Sequence, residues 1–526
     1  MRATASLGLG PPIGPIDRRL FGSFVEHMGR CVYSGIYEPG HPRADADGFR
    51  EDVIALVREL GVTVIRYPGG NFVSGYRWED GVGPRAERPS RLNLAWHARE
   101  SNAFGLDEFI RWAAKAGVEP MLAVNLGTRG VEDALALLEY ANHAAGTQLS
   151  DWRVQNGAPA PHGVRMWCLG NEMDGPWQLG HKTASEYGRI AAETARAMRQ
   201  LDATLELVVC GSSGSWMPTF IEWESTVLEA TYDLVDCVSL HAYFEESDGD
   251  RESFLASGVE LDRFIETVAR TADEVGARLG SSKRMLLSVD EWNVWYLKRF
   301  QAAPPRSDWP LAPHLSEDDY TVTDAVVVGA LLISLLKHAD RVSCACLAQL
   351  VNTIAPIRTD AMGEAWRQAT FYPFSLTARY AVGVAIRLDV ESAMIETSQH
   401  GPVPAVDAVA TIDEPAGVGA VFAVNRSTVE PVHLELDLGS KAGLHVIETI
   451  VIGDDDPYAA NTVMVRDRVV PRSVDAAVVT DGCLRVVLPP ASWILVRLQL
   501  SGPVIEVASQ VRDAAGRDHP STSRIV

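Results

Sequence analysis

Five stretches of this chain end an apolar run on an acid, an amide or a cation: FVEH (24–27), VIRYPGGN (64–71), WCLGNE (167–172), SLHAY (239–243) and SVDEWN (288–293). Such groups lose solvation at the end of a buried run unless a partner or a ligand meets them there. The acids among them fit one chemistry. Cleaving a glycosidic bond takes two flanking carboxyl groups, one protonated as general acid and one ionised as nucleophile. Glu172 and Glu291 are the natural pair. Arg66 is the cation available to keep Glu291 charged, and Tyr243 can donate a hydrogen bond to it. That leaves Glu172 in less cationic surroundings, with the higher proton affinity. Asn171 is placed to hydrogen-bond a sugar 2-hydroxyl, a contact that strengthens in an oxocarbenium-like transition state. Asp290 points to the opposite face of a regular strand, which makes it a structural acid.

These residues cooperate only if the fold carries them to one rim. From about residue 20 to 375, apolar runs alternate with amphipathic stretches. The predicted strands cover 21–27, 62–68, 120–127, 164–172, 205–213, 236–244, 284–292 and 341–350. Most are continuous hydrophobic runs, the pattern of parallel strands covered on both faces. Helical spacing fills 49–60, 106–117, 183–201 and 322–340, the third opening on the capping box Thr183/Glu186. Eight strand–helix alternations predict an α/β fold, a (β/α)8 TIM barrel over 19–375. A doubly wound open sheet fits less well, because no glycine-rich phosphate loop follows the first strand. In such a barrel active sites lie at the C-terminal strand ends, and strands 4 and 7, carrying Glu172 and Glu291, face each other across the mouth. Glu26, His27, Arg66, Asn71, Asn125, His241, Tyr243, Gln349 and Asn352 join them on that rim. Amides and acids there match hydroxyl groups, and flat tryptophans match the C–H faces of a sugar ring.

After about residue 376 the texture changes to short alternating strands separated by Gly, Pro, Asp and Asn. This predicts an antiparallel, jelly-roll-like β-sandwich over 376–501, joined by a strand from 1–18, with a polar tail over 502–526.

Composition narrows the partners. Hydrophobic residues make up 47% of the 526, enough for large cores, and the formal net charge is -22. That charge repels phosphate backbones, so nucleic acid is an unsuitable partner. No apolar run reaches membrane-spanning length, and no apolar leader opens the chain. The seven cysteines include no CxxC pair and fit a reducing compartment, so a cytoplasmic protein is expected. There is no H-E-x-x-H or HxH, so no metal or other cofactor is expected, and GSSGS (211–215) misses the G-x-S-x-G of acyl hydrolases.

Blander roles exist for each residue. Glu172 can serve as a helix N-terminal carboxylate, Arg66 as a buried ion-pair partner, and His27 and His241 as structural histidines. The paired glutamates weigh against a non-catalytic carbohydrate-binding protein, and another retaining glycosidase, an endo-glucanase or xylosidase, is the nearest enzymatic alternative. The stretches FGSFVEHMGRCVYSGIYEPGHP, RYPGGNFVSGYRWEDGVGP, WCLGNEMDGPWQLGHKTASEY, LSVDEWNVWY and LPPASWILVRL resemble glycoside hydrolase family 51, the α-L-arabinofuranosidases, over essentially residues 1–500. The resemblance implies a retaining, exo-acting enzyme that releases terminal arabinofuranose from arabinan, arabinoxylan or arabino-oligosaccharides. It implies Glu172 as acid/base and Glu291 as nucleophile. Substrate contacts carry over to Glu26, Asn71, Asn171, Tyr243 and Gln349, with Arg66 and His241 in support and Trp96 lining the sugar pocket. It further implies an intracellular, homohexameric protein that needs no metal.

Overall fold

In the computed structural model, which describes residues 1–7, 11–304, 306–438 and 444–500, eight parallel strands close into a barrel. They are β1 (Gly22–Phe24), β2 (Val64–Tyr67), β3 (Glu119–Ala123), β4 (Met166–Leu169), β5 (Glu206–Val209), β6 (Cys237–Phe244), β7 (Leu286–Val294) and β8 (Val342–Leu347). Pairing runs in sequence order and β8 closes on β1. Residues of β1, β2 and β4 are buried on both faces, which is why these strands read as unbroken apolar runs. Several strands are shorter than their apolar runs. In β1 the strand ends at Phe24; the Val25 N–H still donates to the Arg66 carbonyl of β2, and Glu26 and His27 leave the ladder while staying buried.

The helices follow their capping signals. Glu51–Leu60 ends on Gly61 at φ 83°, where a left-handed backbone favours glycine. Ala184–Leu201 opens on Thr183, whose side chain accepts from the Glu186 N–H, the predicted capping box. Val322–Lys337 is apolar nearly all round because it lies between the barrel and a second body of sheet. A Cβ on Gly329 would stand 2.3 Å from Trp493 of the strand Ser492–Leu500, so glycine permits that close packing. The helix Phe371–Tyr380 crosses the point where the sequence texture changes.

The second body is one eleven-stranded sheet around its own core, with Leu434, Leu436, Leu484, Ile494 and Val496 at its centre. The strand Arg2–Leu7 does join it, between Val384–Ser392 and Val432–Asp437. Its pairing with the first is antiparallel and with the second parallel, so the sheet is mixed at this one seam. The predicted tail over 502–526 lies outside the described residues. No helix among the described residues is long and apolar enough to cross a membrane.

Candidate active site

Arg66, at the end of β2, organises the barrel mouth. Its side chain is fully buried beneath the rim. Nη1 donates to Glu291 Oε1 at 2.7 Å, Nη2 donates to Asn171 Oδ1 at 2.8 Å, and Nε lies 3.3 Å from Asp290 Oδ2. One planar cation thus ties the ends of β4 and β7 together, which a lysine's single ammonium cannot do. Tyr243, from β6, donates its hydroxyl to the other oxygen of Glu291 at 2.8 Å.

Glu172 stands across the mouth. Its Oε1 lies 2.9 Å from His241 Nδ1, and its Oε2 accepts from Trp177 Nε1 at 2.7 Å. Its backbone sits at φ 44°, a left-handed conformation a non-glycine residue adopts at a cost of about 1–3 kcal/mol. Gly170, two residues earlier, turns at φ 98° and brings the chain off β4. The two strands are not diametrically opposed, since β5 and β6 separate β4 from β7. His241 of β6 fills the space between, with Nδ1 3.6 Å from Glu291 Oε2. One oxygen from each glutamate and a ring nitrogen of His241 lie within 4.8 Å of one another.

Glu26 forms the next wall. Its Oε1 accepts from the Phe72 N–H at 2.8 Å and from Trp96 Nε1 at 2.7 Å, and Gln349 Nε2 reaches its Oε2 at 3.2 Å. Gly70 separates Glu26 from Glu291. A Cβ there would lie 3.1 Å from Glu26 Oε2 and 3.3 Å from Glu291 Oε1, so the PGG turn keeps the floor bare of side chains. Asn71 stands apart, half-buried at the edge. Its Oδ1 accepts from Gln178 Nε2, and it lines a hollow of about 230 Å³ with Tyr76, Arg77, Asp80 and Arg91. Asn171 is fully buried, and its amide nitrogen has no partner within the protein. A buried donor left open beside two acids is the group a substrate hydroxyl would satisfy.

The charges interlock. Burial lifts the Glu291 carboxyl above the ordinary glutamate value, His241 and Arg66 pull it back, and Glu172 pushes it up again. Arg66 and Tyr243, the groups expected to keep Glu291 charged, are therefore outweighed; loss of water is the larger influence. Burial would depress the His241 imidazolium, but Glu291, Asp290 and Glu172 outweigh it and raise it to about 10. Burial and then Glu291 push Glu26 up to about 8, against the donors Phe72 and Trp96 and the charge of Arg66.

The predicted residues form two groups of contacts, Arg66, Asn171, Glu172, His241, Tyr243 and Glu291 in one and Glu26, Trp96 and Gln349 in the other, with Asn71 bonded to Gln178 at the edge. Asp290 departs from its expected place. It does not turn to the far face but lies beneath the glutamates, 3.4 Å from His241 Nε2 as well as near Arg66. The register of β7 against β8 shifts between Val289 and Trp292, and this bulge turns two consecutive acids inward. Trp177 and Gln178 were missed. They sit in the loop after β4, where no periodicity reports direction; their one signal was proximity to Glu172.

The fold and the paired acids define the class first: this is a barrel glycoside hydrolase. The chain also matches the α-L-arabinofuranosidase 1 domain over residues 56–257 and the α-L-arabinofuranosidase C-terminal domain over 290–492. It is 57% identical to an intracellular exo-α-(1→5)-L-arabinofuranosidase of Streptomyces lividans, covering 94% of this chain and 75% of that protein. It is 55% identical to an exo-α-(1→6)-L-arabinofuranosidase of Bifidobacterium longum, covering 93% and 95%. The solved structure of a family 51 α-L-arabinofuranosidase from Bifidobacterium longum superposes with a TM-score of 0.91 at 49% identity, covering 94% of this chain and 99% of that one. The chain belongs to the family 51 α-L-arabinofuranosidases.

Proposed function

We propose that Glu291 is the nucleophile and Glu172 the acid/base of a retaining, exo-acting α-L-arabinofuranosidase. The carrying observation is the pair itself: two acids within 4.8 Å across the barrel mouth, with Arg66 on Glu291 alone. Retention needs carboxyl groups about 5–5.5 Å apart, and inversion needs room for a water between them.

Contacts assign the roles. Arg66 touches Asp290 and Glu291, which favours their charged forms, and makes no contact with Glu172, which faces His241 and Trp177 and is the acid free to hand its proton to the leaving oxygen. Glu26, raised to about 8, is the neighbouring carboxyl that stays protonated near neutral pH. In the first step a Glu291 oxygen bonds to the anomeric carbon while the glycosidic oxygen leaves with the Glu172 proton. In the second, Glu172 takes a proton from water, whose oxygen attacks the anomeric carbon and releases Glu291. Asn171 Nδ2, Glu26, Trp96, Gln349 and Asn71 hold the arabinofuranosyl hydroxyls, while His241 and Tyr243 fix the acids.

The substrate is an arabinofuranose-terminated oligosaccharide or polymer, arabinan and arabinoxylan included. The (1→5) and (1→6) linkages in the relatives' names make both the first to assay. Several relatives are named intracellular, which supports action inside the cell on short oligosaccharides. A homohexamer is the assembly the family resemblance suggests, and sedimentation tests it. Hydrolysis of an aryl α-L-arabinofuranoside, followed by NMR, tests the whole reading: the first-formed sugar is expected to be the α-anomer. A first-formed β-anomer would mean inversion.

Two smaller predictions arise here. Asn171→Ala is expected to lower kcat/KM about 100-fold, since the 2-hydroxyl contact strengthens in the transition state. On a 2-deoxy substrate the same change should cost almost nothing; a loss as large as on the parent would assign Asn171 elsewhere. The second concerns pH. Glu26 is protonated below about 8 and becomes a second anion beside Glu291 as pH rises through that value. The alkaline limb of kcat/KM is therefore expected near pH 8. In Glu26→Gln, which cannot ionise, that limb should move upward, whatever the loss of activity. An unmoved limb would remove Glu26 from the account.

A further inference from the structure

Two tryptophans stand exposed beyond Glu172. Trp177, in the loop after β4, is 41% accessible, and Trp216, in the loop after β5, is 67% accessible. Two large aromatics exposed side by side make a contiguous apolar patch, the kind of surface that can receive a ligand. Their rings stack with centroids 5.9 Å apart and planes at 30°. Face-to-face contact puts ring planes about 3.5–4 Å apart, so the two are offset, side by side, and both remain partly open to solvent.

The pair is held in place. Trp177 lies against Gly175, where an added Cβ would come within 2.5 Å of its ring, and Trp216 lies as closely against Gly214. The two loops are stapled by one buried acid, Asp174. Its carboxylate accepts from Ser212 Oγ at 2.7 Å, the Ser213 N–H at 3.0 Å, Thr219 Oγ1 at 2.6 Å and the Ser213 hydroxyl. Five residues of loop thus leave Glu172 and return an indole N–H to it, and the neighbouring loop sets a second indole beside the first.

From this arrangement we infer that Trp216, set beside Trp177, is a binding platform for the leaving-group sugars. The inference rests on the assignment of Glu172 as the acid that protonates the leaving oxygen. Trp177 touches that acid, so the departing unit lies against Trp177, and Trp216 lies one step further out along the same chain. The ligand class is a neutral pyranose or furanose unit with an apolar C–H face. The surface offers ring faces rather than charges, which suits a substrate without ionic groups. Asp174 acts as a positioning residue for both loops.

The test compares 1,5-α-L-arabinotriose with α-L-arabinofuranosyl fluoride, whose leaving group carries no sugar. In Trp216→Ala the ratio of kcat/KM on arabinotriose to that on the fluoride is expected to fall about fivefold, in keeping with the strength of aromatic contacts. The loss should appear in KM, and Trp216→Phe should recover most of it. An unchanged ratio in Trp216→Ala would overturn the inference, as would equal ratios in the Phe and Ala variants. Failure of the unmodified enzyme to turn over either substrate would instead overturn the proposed function.

Discussion

Replacing Glu291 by alanine is expected to lower kcat/KM on an aryl α-L-arabinofuranoside by about 10⁵-fold, the scale on which loss of a covalent nucleophile is felt. The site explains why nothing substitutes for it. Arg66 and Tyr243 each hold one Glu291 oxygen, at 2.7 and 2.8 Å. Gly70 leaves no neighbouring side chain to take over, and Asp290 lies lower, engaged with Arg66 and His241. Removing the carboxylate also leaves Arg66 beside a vacant position. That favours a small anion entering from solution. Azide should therefore restore part of the activity, and because it attacks from the side Glu291 occupied, the product should be the β-arabinofuranosyl azide. An α-azide from this variant, or near-native turnover without azide, would refute the assignment. Glu291→Gln is a weaker perturbation of shape but not of chemistry, and should be as inactive. If Glu291→Gln retained activity, the carboxylate would be a binding group and not the attacking one.

The barrel was legible because parallel strands are buried on both faces, and burial writes itself as runs such as VTVIRYP and RMLLSVDEW. The rim positions of Glu26, Arg66, Asn171 and Glu172 followed from the ends of the apolar runs, because the chain stays buried for a few residues after β1 and β4 stop pairing. What stayed illegible was anything set by non-local geometry. The bulge in β7 that turns Asp290 inward depends on the register of its neighbour β8, which no local pattern encodes. The balance of burial against Arg66 at Glu291 depends on how many groups close over the mouth. The parallel seam between Arg2–Leu7 and Val432–Asp437 joins segments over 400 residues apart, and alternation reports a strand's faces, not its partner's direction. Trp177 shows the same limit at short range. It lies five residues after Glu172, yet only the turn through Gly175 points its N–H back at the carboxylate.

The geometry at Glu172 leads to the other large effect. Glu172→Ala is expected to lower kcat/KM about 10³-fold on arabino-oligosaccharides, whose leaving alkoxide needs a proton, within the usual range for general acid catalysis. On a nitrophenyl arabinofuranoside, whose phenolate leaves unaided, kcat/KM should change little, because this parameter reports the first bond-breaking step. kcat on the same aryl substrate should fall, since the base for the attacking water is gone and the Glu291 ester accumulates. KM should fall with it, and a burst of nitrophenol should precede the steady state. Azide needs no base; it should raise kcat and give the α-azide, by attacking the ester from the face Glu172 has vacated. The opposite azide anomers from the two variants distinguish the two glutamates without reference to rates. The φ of 44° at Glu172 adds a constraint on the choice of variant. Glutamine keeps the shape and one acceptor oxygen, so it holds the contact to Trp177 or to His241 but not both, while alanine removes both; the glutamine variant comes nearer to separating loss of the proton from loss of packing. A Glu172→Ala enzyme whose kcat/KM fell equally for oligosaccharide and nitrophenyl substrates would place Glu172 outside proton transfer, with His241 as the group to examine next.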